Sequence, residues 1–202
     1  MVPIEVVPAD RWADTVAGRL ADRLSDRPSL RLCLPTGSTP APVYAAFAAH
    51  GGSMADATIL LLDEFVLPPG SAGRCDVMLE RDLLQRLERP PKDVVVWDTT
   101  IDPGEASIAM EREVAAGLDL AILGLGTNGH VGINEPGSPA DSRSRLVELA
   151  PSTADGVLAY GAEQVPTHGL TLGIGTLLDA HEIWLLVTGA HKRTVLEQAL
   201  HG

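Results

Sequence analysis

Leu118-Asp119-Leu120-Ala121-Ile122-Leu123 runs directly into Gly124-Leu125-Gly126-Thr127-Asn128-Gly129-His130-Val131-Gly132-Ile133-Asn134-Glu135-Pro136-Gly137-Ser138. A short apolar run that ends in turn residues reads as a buried strand. Gly132, Pro136 and Gly137 break any helix that would start after it, so the strand opens into a long loop. The same unit recurs on both sides. Leu30 to Leu34 meets Pro35-Thr36-Gly37-Ser38-Thr39-Pro40, and a helix follows over 42–49 with prolines at its beginning, where a missing amide is tolerated. Thr58 to Leu62 meets Asp63-Glu64-Phe65, Val94 to Trp97 is a short strand, and Ile183 to Val187 precedes Thr188-Gly189. Helical spacing of apolar residues covers Trp12–Leu24, Cys75–Leu87, Ala106–Ala116 and Lys192–Leu200. Short apolar strands alternating with helices predict an α/β fold: a mostly parallel sheet flanked by helices on both faces, Rossmann-like in plan.

The chain has 202 residues, no internal repeat and no long linker, so a single domain over 1–202 is expected. With 45% hydrophobic and only 3% aromatic residues, its core must rest on Leu, Val, Ile and Ala. The formal charge of −12 repels nucleic-acid phosphates and anionic membrane surfaces, leaving room for a local cationic pocket that takes one small anion. Cys33 and Cys75 are too few for a disulfide framework and read as free thiols. The opening MVPIEVVPADRW lacks the basic-then-apolar pattern of a signal peptide, and no apolar run approaches membrane-spanning length. A soluble, cytoplasmic protein is expected.

In such folds ligands collect outside the carboxyl ends of the strands, so the segment after each strand is where chemistry is expected. The Thr36-Gly37-Ser38-Thr39 turn, with two kinds of hydroxyl donor and helix-start amides, makes an anion cradle; equally, it is what an ordinary capped turn looks like. It is no Walker loop, because the Gly-Lys-Ser/Thr ending is absent. Asp63 and Glu64 stand where a strand leaves the core, a place for a general base or for solvated charges. The Gly124 loop contains a literal G-x-G-x-x-G with Glu148 about twenty residues on, the spacing of a dinucleotide site. That site needs a helix beginning inside the glycines, and here there is none. The loop instead displays Asn128, His130 and Glu135. Lys192, at the start of the last predicted helix, either extends into water or faces an anion shared with the Thr36 turn.

Together these stretches resemble a known family. Pro35-Thr36-Gly37-Ser38-Thr39-Pro40, Leu62-Asp63-Glu64-Phe65, the Gly124 to Ser138 loop and Leu170-Thr171-Leu172-Gly173-Ile174-Gly175-Thr176 are similar, in order, to glucosamine-6-phosphate deaminase/isomerase. This family belongs to the sugar-phosphate isomerase group that also contains 6-phosphogluconolactonase. Asn134-Glu135-Pro136-Gly137 favours the deaminase branch, as does Phe65, where a lactonase is expected to carry Arg. The resemblance implies that Asp63 moves a proton between C2 and C1 of an open-chain amino sugar. It implies that His130 assists ring opening, supported by Glu135 and Asn128. Thr36, Gly37, Ser38, Thr39 and Lys192 would hold the sugar phosphate. The implied chemistry requires no metal and no organic cofactor, and the implied partner is a small-molecule sugar phosphate. A homo-oligomer is compatible with it.

Three departures accompany the resemblance. Asn128 stands where many members carry Asp. Neither Lys nor Arg occurs from Leu146 to His191, a stretch expected to hold a second phosphate-binding cation. The chain reaches Gly202 before the family's usual end, so the domain is expected to be shortened there. Two other readings therefore stay open. One is the same fold acting on a different sugar or on a lactone, as 6-phosphogluconolactonase does. The other is a weakened sugar-phosphate-binding regulator.

Overall fold

Leu32, Cys33 and Leu34, and likewise Ile59, Leu60 and Leu61, are apolar without alternation because both faces of their strands are covered. In the computed structural model, which describes residues 3–201, they lie at the centre of the main sheet. The elements run in the order α1 (Trp12–Asp26), β1 (Arg31–Leu34), α2 (Pro40–Ala49), β2 (Thr58–Leu61), β3 (Asp63–Phe65), α3 (Cys75–Asp82), β4 (Asp93–Val95) and α4 (Pro103–Val114). Next come β5 (Leu120–Gly124), β6 (Arg145–Glu148), α5 (Pro151–Gly156), β7 (His168–Thr171), α6 (Ile174–Leu178), β8 (Glu182–Leu186) and α7 (Arg193–His201). Five strands form a parallel sheet in the order β4-β2-β1-β5-β8. With this order, the right-handed rule for parallel crossovers assigns α2 and α3, which touch, to one face and α4 to the other. The expected α/β architecture is present.

Local chemistry explains the helix ends. Asp102 caps α4 by accepting from the Gly104 and Glu105 amides, and Pro103 occupies the first helical position, where its missing N–H costs nothing. In α1 the buried Ala17, Leu20 and Leu24 fall on one stripe, which packs on α2. Among the described residues no helix is long and apolar enough to cross a membrane.

Beyond shifts of a few residues at element ends and the short helices α5 and α6, the structure departs from the sequence reading in three places. The helix expected over Cys75–Leu87 stops at Asp82 and becomes a 3₁₀ turn at Leu84–Arg86. Leu83 leaves helical geometry (φ −126°) and is fully buried there, so burial of this side chain sets the break. The last helix begins at Arg193, with Lys192 in the 3₁₀ turn Ala190–Lys192 just before it. A second, antiparallel sheet of order β3-β7-β6 was not foreseen. Its strands are three or four residues long, too short to display a period, and β3 begins with two acids.

That second sheet is tied to the rest through Glu64. Its side chain is fully buried and accepts from the backbone N–H groups of Phe65 (2.9 Å), Cys75 (2.8 Å) and Asp76 (2.9 Å). The Arg74 guanidinium lies 3.3 Å away and also bonds Asp76, the Leu67 carbonyl and Thr99. Burial pushes the Glu64 carboxyl up to about 8, opposed chiefly by the Asp76 amide and then by Arg74. Glu64 thus serves as the cap of α3, supplied from a distant strand. Glu64→Ala would leave the Phe65, Cys75 and Asp76 amides without their acceptor, a loss of about 3–5 kcal/mol at about 1–3 kcal/mol per unsatisfied buried group. Its melting temperature should fall by on the order of 10 °C. A calorimetric scan showing a change of only a degree or two would contradict that role.

Candidate active site

The strand order reverses between β1 and β5, because the chain first builds outward through β2 and β4 and then returns to add β5 and β8. The carboxyl ends of the two strands at such a switch diverge and leave a crevice. A cavity of about 280 Å³ occupies it. The Pro35–Thr39 turn after β1 lines one wall, and Gly124–Thr127 after β5 lines the other. Asp63, His130 and Lys192 reach the same space.

Asp63 and Glu64 are neighbours with separate fates. Successive side chains on a strand point to opposite faces, so Asp63 enters the cavity while Glu64 enters the scaffold. Asp63 is only 9% exposed. Burial raises its carboxyl to about 7, while a hydrogen bond from the Cys75 thiol pulls the other way. A carboxyl poised there exchanges protons near neutral pH. Cys33 and Cys75 are free and buried, and burial pushes both thiols far above their ordinary range.

His130 sits in the loop after β5, with its ring against Gly126. A Cβ on Gly126 would lie 2.4 Å from the imidazole, so only glycine fits there. The orientation of Asn128 follows from its partners. Its Nδ2 donates to Glu135 Oε2 at 2.8 Å, which turns Oδ1 toward His130 Nδ1 at 2.7 Å. Oδ1 only accepts, so the His130 proton resides on Nδ1, with Thr153 Oγ1 a second neighbour at 3.1 Å. Nε2 is left as the free acceptor. Burial lowers the imidazole pKa, and Glu135 acts against it, so the ring is neutral at pH 7. Glu135 is itself held by the Ala150 amide at 3.1 Å. The expected group of Asn128, His130 and Glu135 is therefore a connected one.

At the other end, Gly37 adopts φ +99°, which bends the turn into the first residues of α2. Thr39 makes no capping bond of its own, and the Lys192 ammonium donates to its Oγ1 at 3.5 Å. Burial lowers the Lys192 pKa. Among the described residues Lys192 is the only Lys or Arg lining the cavity. Arg145 is spent elsewhere: it bonds Asn134 Oδ1 at 2.8 Å and Ser138 Oγ at 2.9 Å, bracing the His130 loop. Sequence reasoning missed Thr153, Cys75 and Tyr160, all cavity-lining. The first and last belong to a segment without chemical pattern, and the thiol was read only for disulfides.

Residues 6–202 match the profile of the family described as glucosamine-6-phosphate isomerases/6-phosphogluconolactonase. The chain belongs to this family. Among relatives of the glucosamine-6-phosphate isomerase/6-phosphogluconolactonase family, a glucosamine-6-phosphate deaminase of Rhodopirellula baltica is 36% identical over 216 residues, covering 100% of this chain and 85% of its own. A solved monomeric glucosamine-6-phosphate deaminase superposes with a TM-score of 0.91 at 27% identity, covering 100% of this chain and 88% of its own. The 6-phosphogluconolactonase of Thermotoga maritima shares the fold with a TM-score of 0.79 at 23% identity, covering 96% and 88%.

The amide at position 128 keeps the imidazole neutral without adding charge. Asn128→Asp places a carboxylate on Nδ1, and a nearby opposite charge favours the imidazolium by roughly one to three pKa units. Titration of the His130 ring protons by NMR should then show an upward shift. An unchanged or lowered value would remove Asn128 from control of this ring.

Proposed function

We propose that this protein converts glucosamine 6-phosphate and water into fructose 6-phosphate and ammonia. The observation that carries the reading is the placement of a buried carboxyl, titrating near 7, and a neutral imidazole in one cavity with an anion cradle. The identity to glucosamine-6-phosphate deaminases supports the substrate.

The chemistry follows from the residues in turn. The phosphate end takes the amides and hydroxyls of Thr36, Gly37, Ser38 and Thr39, with Lys192 as counter-charge. Nε2 of His130 takes the proton of the anomeric hydroxyl and delivers it to the ring oxygen as that oxygen leaves C1, opening the pyranose. Asn128 and Glu135 hold the tautomer that makes Nε2 the acceptor. Asp63 then removes the C2 proton, which is acidified by the C1 aldehyde, and O1 takes up a proton from the C2 ammonium, giving an enolamine. Asp63 returns its proton to C1, which leaves a C2 iminium; water adds to it, and ammonia leaves. Water is consumed only in that last step.

Phe65 favours this branch over lactone hydrolysis. It is 9% exposed, lines the cavity and puts an apolar surface where a lactonase is expected to carry a cation. The lactonase neighbour at 23% identity speaks for the fold alone.

Incubation with glucosamine 6-phosphate should release ammonia and fructose 6-phosphate in equal amounts. A base must be ionised, so kcat/KM should rise with pH through a limb near 7, the value at which Asp63 loses its proton. Asp63→Asn should remove roughly 10²–10⁴-fold of the turnover with little effect on binding. No ammonia from this substrate, or a variant of near-normal rate, would reject the proposal. Lys192→Ala should raise the KM for the sugar phosphate about ten-fold or more, since a charge-assisted hydrogen bond contributes about 1.5–3 kcal/mol. Competition by inorganic phosphate should weaken in step. An unaltered KM would place the phosphate elsewhere.

A further inference from the structure

Tyr160 ends the 3₁₀ turn Val157–Tyr160 that follows α5, and its ring lines the cavity beside the Thr36–Thr39 turn. Its hydroxyl accepts the Ser38 N–H at 3.4 Å. It is also the atom nearest to any side chain that could be added at Gly37, at 3.0 Å from an ideal Cβ. Behind it Val157 and Ala162 are buried, so the segment that carries the ring is packed on the body of the protein.

This corner holds little positive charge. Lys192 is the only Lys or Arg lining the cavity among the described residues, and it approaches the turn from the Thr39 side. Tyr160 comes from the opposite segment and meets the turn at Gly37 and Ser38. A phenol has one O–H donor and also accepts. Here its acceptor side takes the Ser38 amide, and its own hydrogen has no protein acceptor among the described residues.

We propose that Tyr160 is a specificity-determining residue whose phenol O–H donates to a phosphoryl oxygen of the substrate, occupying the place of a second cation. This rests on the reading of the Thr36–Thr39 turn as the phosphate seat. The 3.4 Å bond between Ser38 and Tyr160 is long and is readily exchanged. An entering phosphoryl oxygen takes the Ser38 N–H as a shorter, charge-assisted partner and receives the Tyr160 hydrogen from the other side. One lysine and a neutral donor hold a phosphate by geometry more than by net charge. Substrate and product carry the same phosphate, so such a seat also releases product more readily than a pair of cations would.

The test compares the intact protein with Tyr160→Phe, which keeps the ring and its packing and removes only the hydroxyl. The KM for glucosamine 6-phosphate should rise about ten-fold with kcat within two-fold, since the phenol touches the phosphate and not the reacting carbons. Calorimetric titration with inorganic phosphate, which needs no turnover, should show a matching loss of affinity. An inorganic phosphate affinity within two-fold of the intact protein would overturn the assignment, as would a loss confined to kcat. If the intact protein releases no ammonia while Tyr160→Phe still weakens phosphate, the reaction assignment fails and the phosphate contact stands. Normal ammonia release by the intact protein, with unchanged phosphate affinity in the variant, keeps the reaction and removes the Tyr160 contact.

Discussion

Leu62 belongs to both sheets. Its N–H donates to the Leu34 carbonyl of the parallel sheet, and its own carbonyl accepts the Leu172 N–H next to β7. Each bond is 3.0 Å long and buried, so neither is given up cheaply. This double engagement forces the chain to leave one sheet and enter the other within a single residue. The next residue, Asp63, therefore emerges over the crevice at the β1–β5 switch, and Glu64 turns inward to hold α3. The position of the proposed base is a consequence of backbone hydrogen bonding at its neighbour.

The cavity solves an electrostatic problem posed by the whole chain. A protein with a formal charge of −12 repels a phosphate ester at long range. Inside the crevice the local balance differs, because the Thr36–Thr39 turn before α2 and the half-buried Lys192 ammonium line the same space. Asp63, facing the same space, carries less negative charge than an exposed aspartate would, since burial holds it near half-protonation at neutral pH. The same desolvation that raises its carboxyl lowers His130, and both shifts act to keep charge low until a ligand arrives.

The His130 loop works as a rigid bracket. Arg145 ties Asn134 to Ser138, Glu135 joins Asn128 to the Ala150 amide, and Asn128 fixes the imidazole tautomer. An amide in the middle of the bracket passes orientation from Glu135 to His130 without passing charge. That arrangement suits the proton-accepting role proposed for His130, because the ring stays neutral at rest.

The strands β1, β2 and β5 were legible in the sequence because buried parallel strands are continuous apolar runs, and the turn residues after them marked the site. The helix-breaking glycines after Leu123 excluded a dinucleotide site by local physics alone, and no helix begins there in the structure. Asp63, His130, Glu135 and the Thr36 turn stood out because chemistry-bearing residues at strand ends have few other reasons to be there. Three things required the tertiary structure. The antiparallel sheet arises from pairing between β3, β7 and β6, which are too short to show a period, with β3 distant in sequence from the other two. The split between Asp63 and Glu64 depends on which face of β3 meets the cavity, and that register is set by the partner strand. Tyr160 reaches Ser38 across a separation of 122 positions, a contact that only the packing of the α5 segment creates. Local patterns record what each segment can be, while the identity of its neighbours is settled by long-range packing that no short stretch encodes.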